Sequence, residues 1–260
     1  MTEIKEQIKV WAEKYVSIFN NIAREKDMDF YTQSPLDRIN SKVECMIVGI
    51  NPGCGGTWQG RDKTTEEFLS GNKAWKDRFT SDGLPSKGWR PYLTGVHAFL
   101  NYSREMAPDG IDNDQKYVWT NVTPFSTRKA NQIPNDLIQI SVESLCELID
   151  ILSPDRIVLL GTNSYQYFEG FAEMSGKRDN ISFANPFSDE IKIHIGRIEG
   201  IPCYCVSHPT GHWPVSHDFT TIVLNYLKEI DVVENGKAVN DLEKILKLVQ
   251  NNETIQSLIK

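Results

Sequence analysis

Three polar clusters concentrate the chemistry of this 260-residue chain. They are Gly49-Ile50-Asn51-Pro52-Gly53, Thr120-Asn121-Val122 and Ser207-His208-Pro209-Thr210-Gly211-His212. Each stands at the end of a short apolar run. At their centre are two amides, Asn51 and Asn121, and one imidazole, His208. An amide supplies both a donor and an acceptor but is no strong base. An imidazole can donate a hydrogen bond to charge as it develops. Such a set suits positioning and recognition. Each cluster alone has a plainer reading. Asn-Pro-Gly after a strand is commonly a turn, because Asn tolerates the left-handed region and Gly adopts it freely. Asn121 alone would be a strand-end residue satisfied by backbone, and His208 alone a hydrogen-bonded structural histidine. What raises them above that is their expected placement at neighbouring strand ends.

The elements that would bring them together can be read from periodicity. Ile4, Ile8, Trp11, Tyr15, Ile18, Phe19 and Ile22 recur at steps of three and four, the spacing of one helix face. The run VECMIVGI (43–50) is short and β-branched, as a buried strand is. YVWTNV (117–122), RIVLL (156–160) and IPCYCV (201–206) read the same way. Residues 134–152 form an amphipathic helix, with Pro134 suited to its first turn and Ser153-Pro154 ending it. A further helix is expected to open at Gly161-Thr162. Helices are also expected over 91–104, 217–230 and 239–249. Residues 53–88 read as a long loop with one or two short helices. Ile191, Ile193 and Ile195 alternate with polar residues, as in an edge strand. Alternating strands and helices imply a parallel sheet covered by helices. In such sheets ligands bind beyond the carboxyl ends of the strands. Asn51, Asn121 and His208 are therefore expected to converge.

Composition narrows the function classes. Lys and Arg number 28 against 35 Asp and Glu, a formal charge of −7, with 40% apolar residues. This is ordinary globular composition and excludes collagenous, coiled-coil and disordered chains. The acidic balance argues against a non-specific DNA coat, though a local basic groove is compatible with it. No apolar run reaches the roughly 18 residues that span a bilayer. The first residues alternate charge with apolar side chains, unlike a signal peptide, so a cytoplasmic location is expected. The five cysteines, Cys45, Cys54, Cys146, Cys203 and Cys205, read as reduced thiols. Cys203, Cys205, His208, His212 and His217 lie close in sequence, but their spacing fits no common zinc pattern, and buried cysteine is usually a small hydrophobe. No metal site is expected. The glycines of 53–60 lack both the Gly-Lys-Ser/Thr ending of a P-loop and the spacing of a Rossmann turn.

The clusters together resemble the uracil-DNA glycosylase superfamily. GINPG (49–53) looks like its first motif, closest to the mismatch-specific and single-strand-selective monofunctional branches, which carry Asn there. VWTNVTPF (118–125) is similar to the strand carrying a base-reading Asn, SPDRIVLLG (153–161) to the third strand, and SHPTGH (207–212) to the second catalytic motif. Order and spacing match over about residues 43–230. The family would supply a three-layer α/β/α fold around a central, mostly parallel four-stranded sheet, here spanning 1–230 with the N-terminal helix. Residues 231–260 would be a C-terminal helical appendage.

The resemblance implies roles. Asn51 would orient a water beneath the sugar C1′, where an oxocarbenium-like sugar needs little activation of its nucleophile. His208 would donate to the pyrimidine O2 as negative charge moves onto the ring. Asn121 would read the O4/N3–H edge. Gly49, Ile50, Pro52, Gly53 and Cys54 would line the base site, with backbone N–H groups near Gly53 and Cys54 as further donors. The base must flip out or arrive single-stranded. Trp58, or alternatively Phe68, would stack on it. Thr210, His212 and Trp213 lie where the family's wedge loop enters DNA. Ser126, Thr127, Arg128 and Lys129 would contact phosphate. Strict uracil enzymes place a bulky Tyr at the position of Gly53, so tolerance of 5-substituted uracils is implied. Thr210-Gly211-His212 departs from the usual Ser-Pro or Ser-Gly continuation. The expected protein is a monomeric, monofunctional hydrolase of uracil or a related pyrimidine in DNA, without metal, diffusible cofactor or membrane partner. No nucleophilic Lys stands in the motifs, so strand cleavage is not expected. Two rivals remain: a catalytically altered module that binds a modified base, and an N-glycoside hydrolase of free nucleosides.

Overall fold

A computed structural model describes residues 3–53, 55–72, 117–161, 164–168, 179–185 and 188–206. Helix α1 (Ile4–Lys26) follows the expected stripe: Ile8, Trp11, Tyr15 and Phe19 are buried, while Ile4, Ile18 and Ile22 pack at the margin. It ends at Asp27, whose left-handed backbone (φ 50°) turns its N–H back to Ala23. Strand β1 (Cys45–Gly49) is buried along its whole length. Helix α2 (Thr65–Leu69) is one short turn, opened by a capping box between Thr64 and Glu67. Strand β2 covers Tyr117–Asn121. Helix α3 (Asn135–Leu152) starts one residue later than expected, because Pro134 has an extended ψ of 133° and so caps the helix. Ser153, left-handed at φ 41°, closes it by donating to Ile149 O.

Strand β3 (Arg156–Leu160) is buried throughout. Only a short 3₁₀ turn (Ser164–Phe168) follows it within the described residues, not a full helix opening at Gly161-Thr162. Strands β4 (Asp179–Asn185), β5 (Ser188–Ile198) and β6 (Ile201–Val206) complete a six-stranded sheet of order β2-β1-β3-β6-β5-β4. The fold is α/β with a mixed, mostly parallel sheet. The four expected strands are its parallel part: β1 pairs with β2 and β3, and β3 with β6. Four strands proves too few, because β5 and β4 extend the sheet antiparallel to β6. The alternating isoleucines of β5 therefore lie inside the sheet, with β4 at the rim. The β5–β6 hairpin is explained by Glu199 (φ 50°) and Gly200 (φ 76°), two left-handed residues between the paired Ile198 and Ile201. The helices expected over 91–104, 217–230 and 239–249 and the appendage 231–260 lie outside the described residues.

The core on one face of the sheet is aromatic. Phe19, Phe30, Phe68 and Phe125 pack with ring centroids 5.4–6.0 Å apart, and Trp11 stacks on Phe68 at 5.6 Å. Trp11 Nε1 donates to Ser144 O at 2.9 Å, tying α1 to α3. The outer edge of β2 is covered by residues 30–34. Ser34 N–H donates to Trp119 O, Trp119 N–H donates to Ser34 Oγ, and Phe30 forms an antiparallel bridge with Phe125. Among the described residues no helix is long and apolar enough to cross a membrane.

Candidate functional site

Parallel pairing puts the carboxyl ends of β1, β2, β3 and β6 at one edge. Gly49 is level with Asn121, Val48 with Leu159, and Leu160 with Val206. The chain leaving β1 stays beside the chain leaving β2: Val122 N–H donates to Gly49 O, Thr123 N–H to Ile50 O and Thr127 N–H to Pro52 O. Residues 49–52 and 122–127 thus form a continuous rim at two adjacent strand ends. Ile50 reaches across to β3, with its Cδ1 3.5 Å from where a Cβ on Gly161 would lie.

Asn51 is half-buried in this rim, and its amide nitrogen is fully engaged. It donates to Thr127 O at 2.9 Å, Pro52 O at 3.0 Å and Thr127 Oγ1 at 2.7 Å. Two of these partners are carbonyl oxygens, which can only accept. The Thr127 hydroxyl gives its own proton to Lys129 O at 2.9 Å, so it too acts as an acceptor toward Asn51. The amide orientation is therefore dictated by chemistry. Among the described residues the amide oxygen accepts no hydrogen bond.

Asn121 is the converse. It is 7% exposed, and its Nδ2 is buried without a hydrogen-bond partner among the described residues. Such a donor costs about 1–3 kcal/mol until an acceptor meets it. Its Oδ1 occupies the space where any other residue at position 49 would carry a Cβ, 2.6 Å away. Gly49 is thus required by the amide beside it.

Pro52 is buried and its carbonyl is shared by Asn51, Thr127 and Ser126. Gly53 is exposed, and a side chain there would meet nothing within 4 Å. Cys54, His208, Thr210, His212 and Trp213 lie outside the described residues. Strand β6 carries the chain to Val206, two residues short of His208.

Several expected contacts are corrected. Ser126 and Thr127 are 2% and 7% exposed with their hydroxyls used inside the protein, so they brace the loop and cannot reach phosphate. Phe68, at 1% exposure in the aromatic core, cannot stack on a base. Trp58 is half-buried against the core, with the Arg24 guanidinium 6.0 Å from its ring. Arg128 and Lys129 are exposed, and among the described residues neither forms an ion pair. The stem of Arg128 lies over Gly55 (φ +63°), where a Cβ would come within 2.5 Å of Arg128 Cγ. Other cations nearby are neutralised, Lys26 by Asp136, Lys63 by Asp29 and Arg24 by Asp62.

Burial raises both thiols of β6: Cys203 well above the ordinary range, and Cys205 to about 12. Cys205 Sγ donates to Gly161 O at 3.0 Å. Protonated thiols are poor metal ligands and nucleophiles. Among the described residues no three His, Cys, Asp or Glu side chains converge on a point. Among the described residues, a void of about 20 Å³ adjoins the end of β2, lined by Thr120, Asn121, Val122, Ser141 and Ser144 on the side of the aromatic core, and a cleft of about 310 Å³ lies between the start of α1 and α2, away from the strand ends.

No local signal marks Thr127 as the anchor of Asn51. It stands 76 residues away in sequence, and only the β1–β2 pairing brings it there. The fold and rim define an α/β protein with a hydrogen-bonding site at the carboxyl edge of its parallel strands. No protein-family model matches the chain, and no curated protein matches it.

Proposed function

We propose that the chain is a monofunctional DNA glycosylase of the uracil-DNA glycosylase type, acting on uracil or a related pyrimidine. One observation carries the reading: at adjacent strand ends, and among the described residues, Asn51 holds in a dictated orientation an amide oxygen that accepts no hydrogen bond, and Asn121 buries a donor that meets no acceptor. A water accepted beneath the sugar C1′ needs an acceptor that holds it, which Asn51 Oδ1 would be. The flipped base needs its O4 met, which Asn121 Nδ2 would do. His208 would donate to O2 as charge develops on the ring. The open space at Gly53 leaves room for a substituent at C5. Arg128 and Lys129, exposed beside the rim and without an ion pair among the described residues, suit a polyanion.

The test is base release from oligonucleotides carrying uracil, thymine, hypoxanthine or xanthine, as single strands and mismatched duplexes. Uracil release leaving an abasic site, with no strand cleavage, is expected. Tight binding of the modified strand without release would favour the binding module. Turnover of mononucleosides alone would favour the nucleoside hydrolase. Replacing Arg128 and Lys129 together by alanine is expected to weaken DNA binding evenly across sequences. It should lower the slope of log K against log salt by about 1.4 to 1.8. An unchanged slope would remove these residues from the DNA contact.

A further inference from the structure

We infer that Ser126 is a positioning residue, a buried clamp that holds the loop 52–56 and with it the Asn51 amide. The geometry is a single hydroxyl gripping both ends of the loop. Ser126 Oγ donates to Pro52 O at 3.3 Å and accepts from Gly56 N–H at 3.1 Å. Its own N–H donates to Asp29 O at 2.8 Å, which fixes the clamp to the segment following α1. Asp29 N–H in turn donates to Gly56 O at 2.9 Å, so the far end of the loop is held twice. The grip is close, because a Cβ on Gly56 would approach Asp29 Cβ to 2.9 Å. The near end also meets the site directly, since Pro52 O accepts from Asn51 Nδ2. Between the two ends lies Gly53, exposed and unencumbered, where the loop faces open space. Ser126 is 2% exposed, so bulk water has little access to take over its bonds.

A loop of small residues has many accessible conformations, and glycine loses more freedom on ordering than any other residue. Gly53, Gly55 and Gly56 crowd this loop, so without the clamp it would sample conformations that shift Pro52 O and loosen one of the three bonds that orient Asn51. The catalytic part of the inference rests on the glycosylase reading; the clamp itself does not.

The test compares wild type with Ser126→Ala and with Ser126→Cys, which keeps the side-chain shape with a larger, more weakly bonding sulfur. Ser141→Ala is the control, removing another buried hydroxyl, one that donates to Thr123 Oγ1 at 3.1 Å. Amide hydrogen exchange over residues 51–60 is expected to quicken about ten-fold or more in Ser126→Ala, less in Ser126→Cys, and not at all in Ser141→Ala. Exchange in β1 and β3 should stay as in wild type. In a uracil-excision assay, kcat should fall about ten-fold in Ser126→Ala with KM little altered, while its melting temperature shifts no more than that of Ser141→Ala. Wild-type exchange over 51–60 in both Ser126 variants would overturn the clamp. Wild-type kcat in a variant with a loosened loop would overturn its positioning role. If wild type itself releases no base, the glycosylase reading fails, and the exchange comparison still decides the clamp.

Discussion

Asn51→Ala will leave the chain folded and lower uracil excision by about a hundred-fold or more. The side chain is half-buried at the rim and contributes little to the core, so melting should change modestly. What disappears is an acceptor whose direction is set by three bonds from its own nitrogen. Asn51→Asp is the sharper comparison. A carboxylate is the stronger base, yet it would turn an acceptor toward Thr127 O and Pro52 O, where the amide now donates. Thr127 Oγ1 cannot compensate while its proton serves Lys129 O. The aspartate should therefore lose its rotamer and also excise slowly. Excision at the wild-type rate in Asn51→Ala, measured by single-turnover release of uracil, would remove the mechanism.

Gly49→Ala is expected to impair recognition through a neighbour. Its new methyl group would stand 2.6 Å from Asn121 Oδ1, closer than any relaxed contact, and Asn121 is buried with little room to yield. Overpacking of this kind typically costs about 1–3 kcal/mol. Here the strain falls on the amide proposed to read the base, so excision should drop about ten- to a hundred-fold. A double-mutant cycle identifies the cause. In an Asn121→Ala background the obstructed oxygen is gone, and Gly49→Ala should add almost nothing. Equal losses in both backgrounds would show that the methyl acts on the strand rather than on Asn121.

Much of the positioning frame is legible in the sequence. Strands β1, β3 and β6 stand out as short β-branched runs, because parallel strands buried on both faces have no polar alternation to dilute them. Asn51 and Asn121 stand out because each ends such a run. Strand β4 does not, since only Ile181, Phe183 and the small Ala184 relieve its polar residues, as suits a rim. The β5–β6 hairpin hides behind Glu199, an uncommon residue at positive φ. Ser126 and Thr127 mislead for another reason. Beside Arg128 and Lys129 they read as a phosphate-binding stretch, but their burial is decided by the approach of residues 51–56, which lie far away in sequence. The same holds for Phe68, whose neighbours Trp11, Phe19 and Phe30 come from α1 and the segment that follows it.

The strip of chain laid along β2 has a bearing on how this architecture can change. Ser34 answers Trp119 with a backbone N–H in one direction and a hydroxyl in the other, so that strand has its margin occupied by something other than a strand. At Trp119 the backbone groups that a further strand would need are already taken, whether that strand came from a lengthened loop or from a foreign polypeptide. Growth by accretion is directed to the opposite flank, where β5 and β4 already lie. The flank nearest the two asparagines is thereby kept at constant width, and the surroundings of the amide pair are insulated from whatever is added across the sheet.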